Sequence, residues 1–262
     1  MEQISGVVIY NKPVNGAGDF FRMELHAPEI AAQALSGQFL MVAPTDGQDP
    51  FLKRPMAICH MQRNEGRVGI LYQVIGKGTA ILSQAQSGET LEVLGPLGNA
   101  WYMPPADTKK ILLIGGGAGL APMLPLATAL AERGLSIDVF IGWHDASHLP
   151  SLEDLPPLAK VRITTEDGSL GEKGRVDMLL KEASGYDMAY ACGPEPLMKK
   201  TAVWAKENGT PCQVSLEARM GCGFGICMGC VCDHEDEEGH ISYKRVCREG
   251  PVFWAEEVFF NG

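Results

Sequence analysis

Four cysteines in the last fifth of the chain have types and spacing that could do chemistry. They are Cys222, Cys227, Cys230 and, after sixteen intervening residues, Cys247. C-x4-C-x2-C…C is the plant-type pattern for a [2Fe–2S] cluster, in which four thiolates hold two irons. The bridging sulfides need N–H donors around them. Gly221, Gly223, Gly225 and Gly229 let the backbone wrap closely and aim its amides inward. Two other readings stay open, a structural zinc ion and cysteines with no common ligand. A zinc ribbon usually offers two matched C-x2-C knuckles, and only Cys227 and Cys230 fit that form. Cys232 is left over on a predicted strand and reads as a small buried hydrophobe.

A second signal is the run Ile111-Leu-Leu-Ile-Gly115-Gly116-Gly117-Ala-Gly119-Leu-Ala-Pro122. An apolar strand, a glycine turn and a helix opening suit a pyrophosphate held by backbone N–H groups. The pattern departs from G-x-G-x-x-G at Pro122, and a tight strand-to-helix turn is the lesser alternative. Two more loops follow predicted strands, where ligands bind in open α/β sheets. One is Thr165-Glu166-Asp167-Gly168, whose acids and lack of a basic pair favour a free ribose diol, hence NAD over NADP. The other is Cys192-Gly193-Pro194, in which Cys192 reads alternatively as an inert buried thiol. Near the N-terminus, Arg54-Pro55-Met56-Ala57 and Gly76-Lys77-Gly78-Thr79 offer a cation and a helix start suited to phosphate, or simply turns.

The elements that must position these residues divide the chain in three. Residues 1–101 hold six short, partly alternating stretches (6–10, 20–25, 38–42, 56–60, 67–74 and 90–94) punctuated by Gly, Pro, Asn and Asp. That pattern predicts a small antiparallel β-barrel. Residues 102–212 alternate strand and helix, which predicts a parallel sheet with helices on its faces. Helices are expected at 123–133, 176–183 and 195–207. Residues 213–262 are too few for an independent core and need a staple. The expected fold is thus multidomain, β plus α/β, with a small C-terminal cluster domain. The acidic run Asp233–His240 reads as a solvated hairpin tip, and its histidines receive no role.

Composition excludes several functions. The 262 residues carry 22 basic and 32 acidic groups, a net charge of −10, so affinity for nucleic acid or an anionic membrane surface is not expected. Half of that excess lies in residues 213–262, beside the cysteines. Ile111–Ala131 is 21 residues without a charge, but its glycines and prolines would break a lipid-exposed helix. Met1-Glu2-Gln3-Ile4-Ser5 has no basic n-region and no apolar h-region, which points to a cytoplasmic protein with its thiols reserved for a metal.

In this order the pieces resemble the ferredoxin–NADP reductase superfamily, through Arg54–Ala57, Gly115–Gly119 and Cys192-Gly193-Pro194. The tail, Glu217-Ala-Arg219-Met-Gly-Cys222 through Val246-Cys247-Arg-Glu-Gly-Pro-Val-Phe253, is similar to that of the electron transfer subunits of type B dihydroorotate dehydrogenases. The resemblance implies FAD in the barrel, contacted by Arg54, Pro55, Met56, Ala57, Leu71, Tyr72, Gln73, Gly78 and Thr79. It implies NAD at Gly115, Gly116, Gly117, Gly119, Asp167, Cys192, Gly193 and Pro194, with the cluster on Cys222, Cys227, Cys230 and Cys247. It also implies an FMN-containing catalytic partner that oxidises dihydroorotate in pyrimidine biosynthesis, in a heterotetramer of two plus two. Met56-Ala57 replaces the superfamily's Tyr-Ser, which removes a hydroxyl that often contacts the flavin. No residue is assigned as a catalytic acid or base. Small subunits of sulfide dehydrogenase or transhydrogenase, and a zinc-stapled adaptor, are the competing readings.

Overall fold

The structure, a computed structural model, describes residues 1–235, 238–258 and 260. The N-terminal strands are β1 (Glu2–Pro13), β2 (Phe20–His26), β3 (Phe39–Val42), β4 (Arg54–Gln62), β5 (Arg67–Gln73) and β6 (Thr90–Leu97). They close into a barrel in the order β1-β2-β5-β4-β3-β6, every pairing antiparallel. Alternation along each strand sends Met23, Leu25, Leu40, Ile58, Ile70 and Val93 into the barrel, where all are fully buried. Each such side chain stabilises the fold by about 1.5–3 kcal/mol. Two short helices plug the barrel, α1 (Pro28–Gln33) and α2 (Lys77–Leu82). The first was not expected; six residues without a side-chain cap leave almost no periodic signal.

The next strands are β7 (Lys110–Gly116), β8 (Ser136–Trp143), β9 (Lys160–Thr165), β10 (Glu172–Lys173), β11 (Met188–Cys192) and β12 (Cys212–Ser215), with helices α3 (Met123–Glu132) and α4 (Glu195–Glu207). In the tail, β13 (Val231–Glu235) and β14 (Ile241–Arg245) form a hairpin, and β15 (Val252–Trp254) follows. The seven-stranded sheet runs β10-β9-β8-β7-β11-β12-β15, parallel except for β15, which is antiparallel to β12. The order reverses at β7, with β8 on one side and β11 on the other. A crevice for a ligand opens at such a place, beyond the carboxyl ends of the strands. Two of the hairpin-tip residues in the acidic run, Asp236 and Glu237, lie outside the described residues.

One local expectation needs correction. Residues Val176–Glu182 form a 3-10 segment, not an α-helix. Val176, Leu179 and Leu180 turn inward in either geometry, so their spacing does not distinguish the two. Arg175 supplies no side-chain cap and Ala183 is extended, so neither end offers the bonds that complete an α-helix. The glycine run keeps the expected order of strand, turn and helix. Gly115 and Gly116 finish β7, a 3-10 turn spans Gly117–Leu120, and α3 starts at Met123, the residue expected. Among the described residues no helix is long and apolar enough to cross a membrane.

Side-chain and backbone contacts fix the barrel against the sheet. Phe20 meets Trp143 edge-on at 5.3 Å between ring centroids, and Arg22 pairs with Asp154. The Ala17 N–H donates to the Ser147 carbonyl at 2.8 Å and the Ser151 N–H to the Val14 carbonyl at 2.9 Å. The tail is fastened to the barrel's exit by Asn99. Its amide donates to the Glu249 and Val252 carbonyls at 3.0 and 2.7 Å, and its Oδ1 accepts the Val252 N–H at 2.9 Å.

Candidate cofactor centres

The four cysteines of the spaced motif stand as two pairs. Cys222 neighbours Cys227 in the loop, and Cys247, brought back by the hairpin, neighbours Cys230. Cys230 and Cys247 are buried, Cys222 is half-buried and Cys227 is exposed. Backbone donors surround the sulfurs: Ile226 and Cys227 N–H groups reach Cys222 Sγ at 3.4 and 3.5 Å, and the Cys247 N–H reaches Cys230 Sγ at 3.4 Å. Burial pushes the Cys222 thiol up, but the N–H groups of Cys227, Phe224 and Ile226 outweigh it and bring its pKa down to about 6. Burial and the neighbouring Cys230 push Cys247 up to about 12.

Glycines lie close to the loop's sulfurs, and two of them are needed for their backbone. A Cβ on Gly221 or Gly229 would stand 3.2 or 3.5 Å from Cys227 Sγ. Gly223 and Gly225 have φ of +80° and +91°, and a Cβ on Gly223 would lie 2.5 Å from Met41 Cγ on β3. The cysteine loop therefore rests directly on the barrel. Among the described residues no three His, Cys, Asp or Glu side chains converge as a group for one ion. Paired thiols with inward N–H donors suit two bridged irons better than one tetrahedral zinc. Cys232 lies half-buried on β13, its thiol pushed up to about 11 by burial and by Asp233 and Cys230.

On the barrel, strand alternation sorts the expected flavin contacts. Met56 and Tyr72 point into the barrel core, the Tyr72 hydroxyl donating to Asn11 Oδ1 at 2.9 Å. Leu71 and Ala57 face the sheet, while Gln73 donates to Asp19 Oδ2 at 2.8 Å at the barrel's edge. Arg54 lies flat against α2: a Cβ on Gly78 would come within 2.4 Å of Arg54 Nε. Thr79 Oγ1 accepts the Ile75 and Gly76 N–H groups at 3.0 and 3.2 Å, which fixes the entry to that helix. Arg54, Gly78 and Thr79 are thus brought together. Met56 and Tyr72 are left with backbone groups alone to offer a ligand.

Between Gln73 of the barrel and the strand ends of the sheet lies a cleft of about 200 Å³. Gly116 and Gly117 form one wall, Pro194 and Leu197 another, and Trp143, His144 and Glu166 line the far end. Gly119 packs behind it; a Cβ there would sit 2.3 Å from the Cys192 carbonyl oxygen. Two expected contacts face away from the cleft. Cys192 is 2% exposed, its thiol pushed up by burial and by Glu217, against a hydrogen bond with Ser215. Asp167 turns onto Ser169, accepting its N–H and hydroxyl at 2.9 and 2.7 Å, and these bonds hold its carboxyl low.

Glu217 and His148 stand beside these sites with no local signal to announce them, since each is brought there from a distant segment. Glu217 follows β12 at the strand ends beside Cys192; its side chain is open, yet enclosure by the protein raises its carboxyl above the usual range. His148 lines the cleft, bonded to Asp145 Oδ2 at 2.7 Å, and that hydrogen bond raises its pKa.

A barrel with a cation-bearing flavin edge, a dinucleotide crevice and a paired-thiolate tail define a flavin and iron–sulfur reductase of the ferredoxin–NADP reductase type. The sequence profile of the oxidoreductase FAD-binding domain matches residues 6–102, and that of the iron–sulfur cluster binding domain of dihydroorotate dehydrogenase B matches residues 217–259. The chain belongs to the family of dihydroorotate dehydrogenase B (NAD+) electron transfer subunits, oxidoreductase components that serve a catalytic subunit. The relative from Caldanaerobacter subterraneus subsp. tengcongensis is 43% identical, covering 86% of this chain and 87% of its own. That from Geobacillus sp. (strain WCH70) is 36% identical over 98% of this chain and 99% of its own. A solved NADH-dependent reduced ferredoxin-NADP oxidoreductase superposes with a TM-score of 0.86 at 28% identity, covering 97% of this chain and 90% of that one. A ferredoxin reductase of carbazole 1,9a-dioxygenase shares the fold at a TM-score of 0.68 and 21% identity, over 80% of this chain and 67% of that one.

Proposed function

We propose that the chain passes electrons from an FMN-containing dihydroorotate dehydrogenase catalytic subunit to NAD+, in a cytoplasmic heterotetramer of two copies of each subunit that serves pyrimidine (UMP) biosynthesis. The observation that carries this reading is the adjacency of three centres. The cysteine loop rests on barrel strand β3 through Gly223 and Met41, and the barrel's Gln73 shares a cleft with Gly116 and Gly117. When bound, a flavin between a [2Fe–2S] cluster and a nicotinamide exchanges single electrons for a two-electron hydride.

The chain's residues divide that work. Residues 213–262 hold the cluster on Cys222, Cys227, Cys230 and Cys247. Residues 1–101 would hold FAD, with the Arg54 guanidinium available to a phosphate and Leu71 and Gln73 on the side of the barrel that faces the sheet. Residues 102–212 hold the dinucleotide, its pyrophosphate at Gly116 and Gly117. The exposed rim of Ile226, Cys227 and Met228 is the face offered to the catalytic subunit.

Arg54→Ala is expected to weaken FAD retention by on the order of tenfold or more, the value of one charge-assisted phosphate contact. Flavin content per chain after gel filtration measures it, and unchanged occupancy would remove Arg54 from the site. The whole reading is tested by an anaerobic assay of the co-purified complex. Dihydroorotate should reduce NAD+ there, with bleaching of flavin and iron–sulfur absorption in between. A complex that reduces NAD+ only from another donor, or that holds zinc and no flavin, refutes it.

A further inference from the structure

Along the barrel's edge of the cleft runs a chain of side-chain hydrogen bonds whose polarity the backbone fixes. It starts in the turn between β1 and β2. The Phe20 N–H donates to Asn15 Oδ1 at 3.1 Å, so the Asn15 amide cannot turn over. Its nitrogen therefore faces Asp19 Oδ1 at 2.7 Å, and reaches across to the His148 carbonyl at 3.0 Å. Phe20 is paired with Gln73 across β2 and β5, which brings Asp19 beside Gln73, and Asp19 Oδ2 accepts Gln73 Nε2 at 2.8 Å. Partial burial raises the Asp19 carboxyl, but the bonds from Asn15 and Gln73 outweigh it and hold it low. A carboxylate only accepts, so the Gln73 amide keeps its nitrogen on Asp19 and its oxygen is left for another donor.

The barrel contributes Gln73 to the lining of the cleft. A dinucleotide with its pyrophosphate at Gly116 and Gly117 must turn its nicotinamide toward the barrel, because the flavin domain exchanges hydride there. The one hydrogen-bonding substituent on that ring is its carboxamide, which offers an N–H donor and a carbonyl acceptor. Resting on the placement of NAD in this cleft, we propose that Gln73 Oε1 accepts a hydrogen bond from the carboxamide N–H. Asp19 is the positioning residue: it keeps the oxygen of Gln73, and not the nitrogen, turned to the ligand. A ring bearing a carbonyl without the N–H would set oxygen against oxygen and bind less well. The turn Asn15–Asp19 thereby orients a group in the cleft as well as joining two strands.

Calorimetric titration of the cofactor-loaded chain with NAD+ and with acetylpyridine adenine dinucleotide tests this without turnover. The analogue has a methyl group in place of the amide nitrogen and is otherwise the same ligand. Wild type should favour NAD+, and equal affinities would refute the contact. In Asp19→Asn the new side chain still accepts from Asn15, so its own nitrogen faces Gln73 and the Gln73 amide turns over to meet it. A donor then faces the ligand, which either carbonyl can accept, and the preference for NAD+ should shrink by on the order of tenfold. Gln73→Leu, which neither donates nor accepts, should shrink it as well. Equal weakening of both ligands in Asp19→Asn would make Asp19 a structural residue of the turn and overturn the proposal, as would a wild-type ratio in Gln73→Leu. Gly117→Asn, titrated with ADP-ribose, separates this failure from a misplaced cleft, because ADP-ribose lacks the pyridine ring. A Cβ at Gly117 meets no atom within 4 Å, and asparagine tolerates its φ of +56°. Loss of ADP-ribose in that variant, with flavin and cluster absorption intact, supports the cleft. If ADP-ribose still binds normally, the cleft is not the nucleotide site and the proposal falls with it. If it is lost there but Asp19→Asn and Gln73→Leu keep the native ratio, only the roles of Gln73 and Asp19 are refuted.

Discussion

Serine in place of Cys227 is expected to abolish the iron–sulfur absorption and electron transfer from the catalytic subunit, while NADH oxidation by an artificial acceptor continues. A serine hydroxyl does not ionise at neutral pH, so the thiolate partner of Cys222 is lost outright. Because Cys227 is exposed, the change removes no buried packing, and stability apart from the metal should move by only about 0.5 kcal/mol. Transfer between subunits should fall by more than the roughly 10- to 100-fold that loss of an outer-shell partner costs. Cys227 is not among the residues that line the cleft, which is why hydride exchange with NADH is spared. Visible and electron paramagnetic resonance spectra of the purified variant decide the matter. A normal cluster spectrum would transfer the fourth ligand's role to Cys232. Cys232→Ser is the companion variant and should keep its cluster.

Alanine at Gly119 should act through the backbone. Its methyl would come within 2.3 Å of the Cys192 carbonyl oxygen and 2.6 Å of the Gly193 nitrogen. Both are main-chain atoms at the end of a fully buried strand, so no side chain can swing aside. The expected cost is about 3 kcal/mol from overpacking, together with a widened turn at Gly116 and Gly117 and weaker NADH binding. Gly117→Ala is the contrast: no atom lies within 4 Å, and only its left-handed backbone is strained, at about 1–2 kcal/mol. Denaturant unfolding of the loaded protein ranks the two. If Gly119→Ala unfolds with the wild-type midpoint, the close approach of the two chain segments is not what demands glycine there.

Local signals carried the sequence reading furthest. The cysteine spacing, the six turn-bounded barrel strands and the helix at Glu195–Glu207 all lie within short windows, where residue type and period suffice. Features built from distant segments did not show. β15 is only Val-Phe-Trp, and what makes it a strand is β12, some forty residues earlier. Asp167 and Glu166 are adjacent acids, and nothing local says that His144, at the end of the neighbouring strand, meets Glu166. Cys192 sits in a motif yet turns its thiol inward, because strand alternation and the Ser215 contact decide its direction. Glu217 becomes unusual only once folding places it beside Cys192. The helix expected at 176–183 failed for a different reason, since α and 3-10 coils bury the same apolar positions over so short a run.

The edge strand β15 has a kinetic consequence. The segment bearing the cysteines leaves the sheet at Ser215 and rejoins it at Val252, with Asn99 bolting the return to the barrel. It is a loop pinned at both ends, not a carrier arm on a tether. An arm that ferries charge must diffuse, and its turnover slows as the medium thickens. Here the separation between the thiolates and the barrel is built into the sheet. The rate of electron passage within the chain should therefore follow the fixed gap and the driving force, and remain indifferent to solvent viscosity.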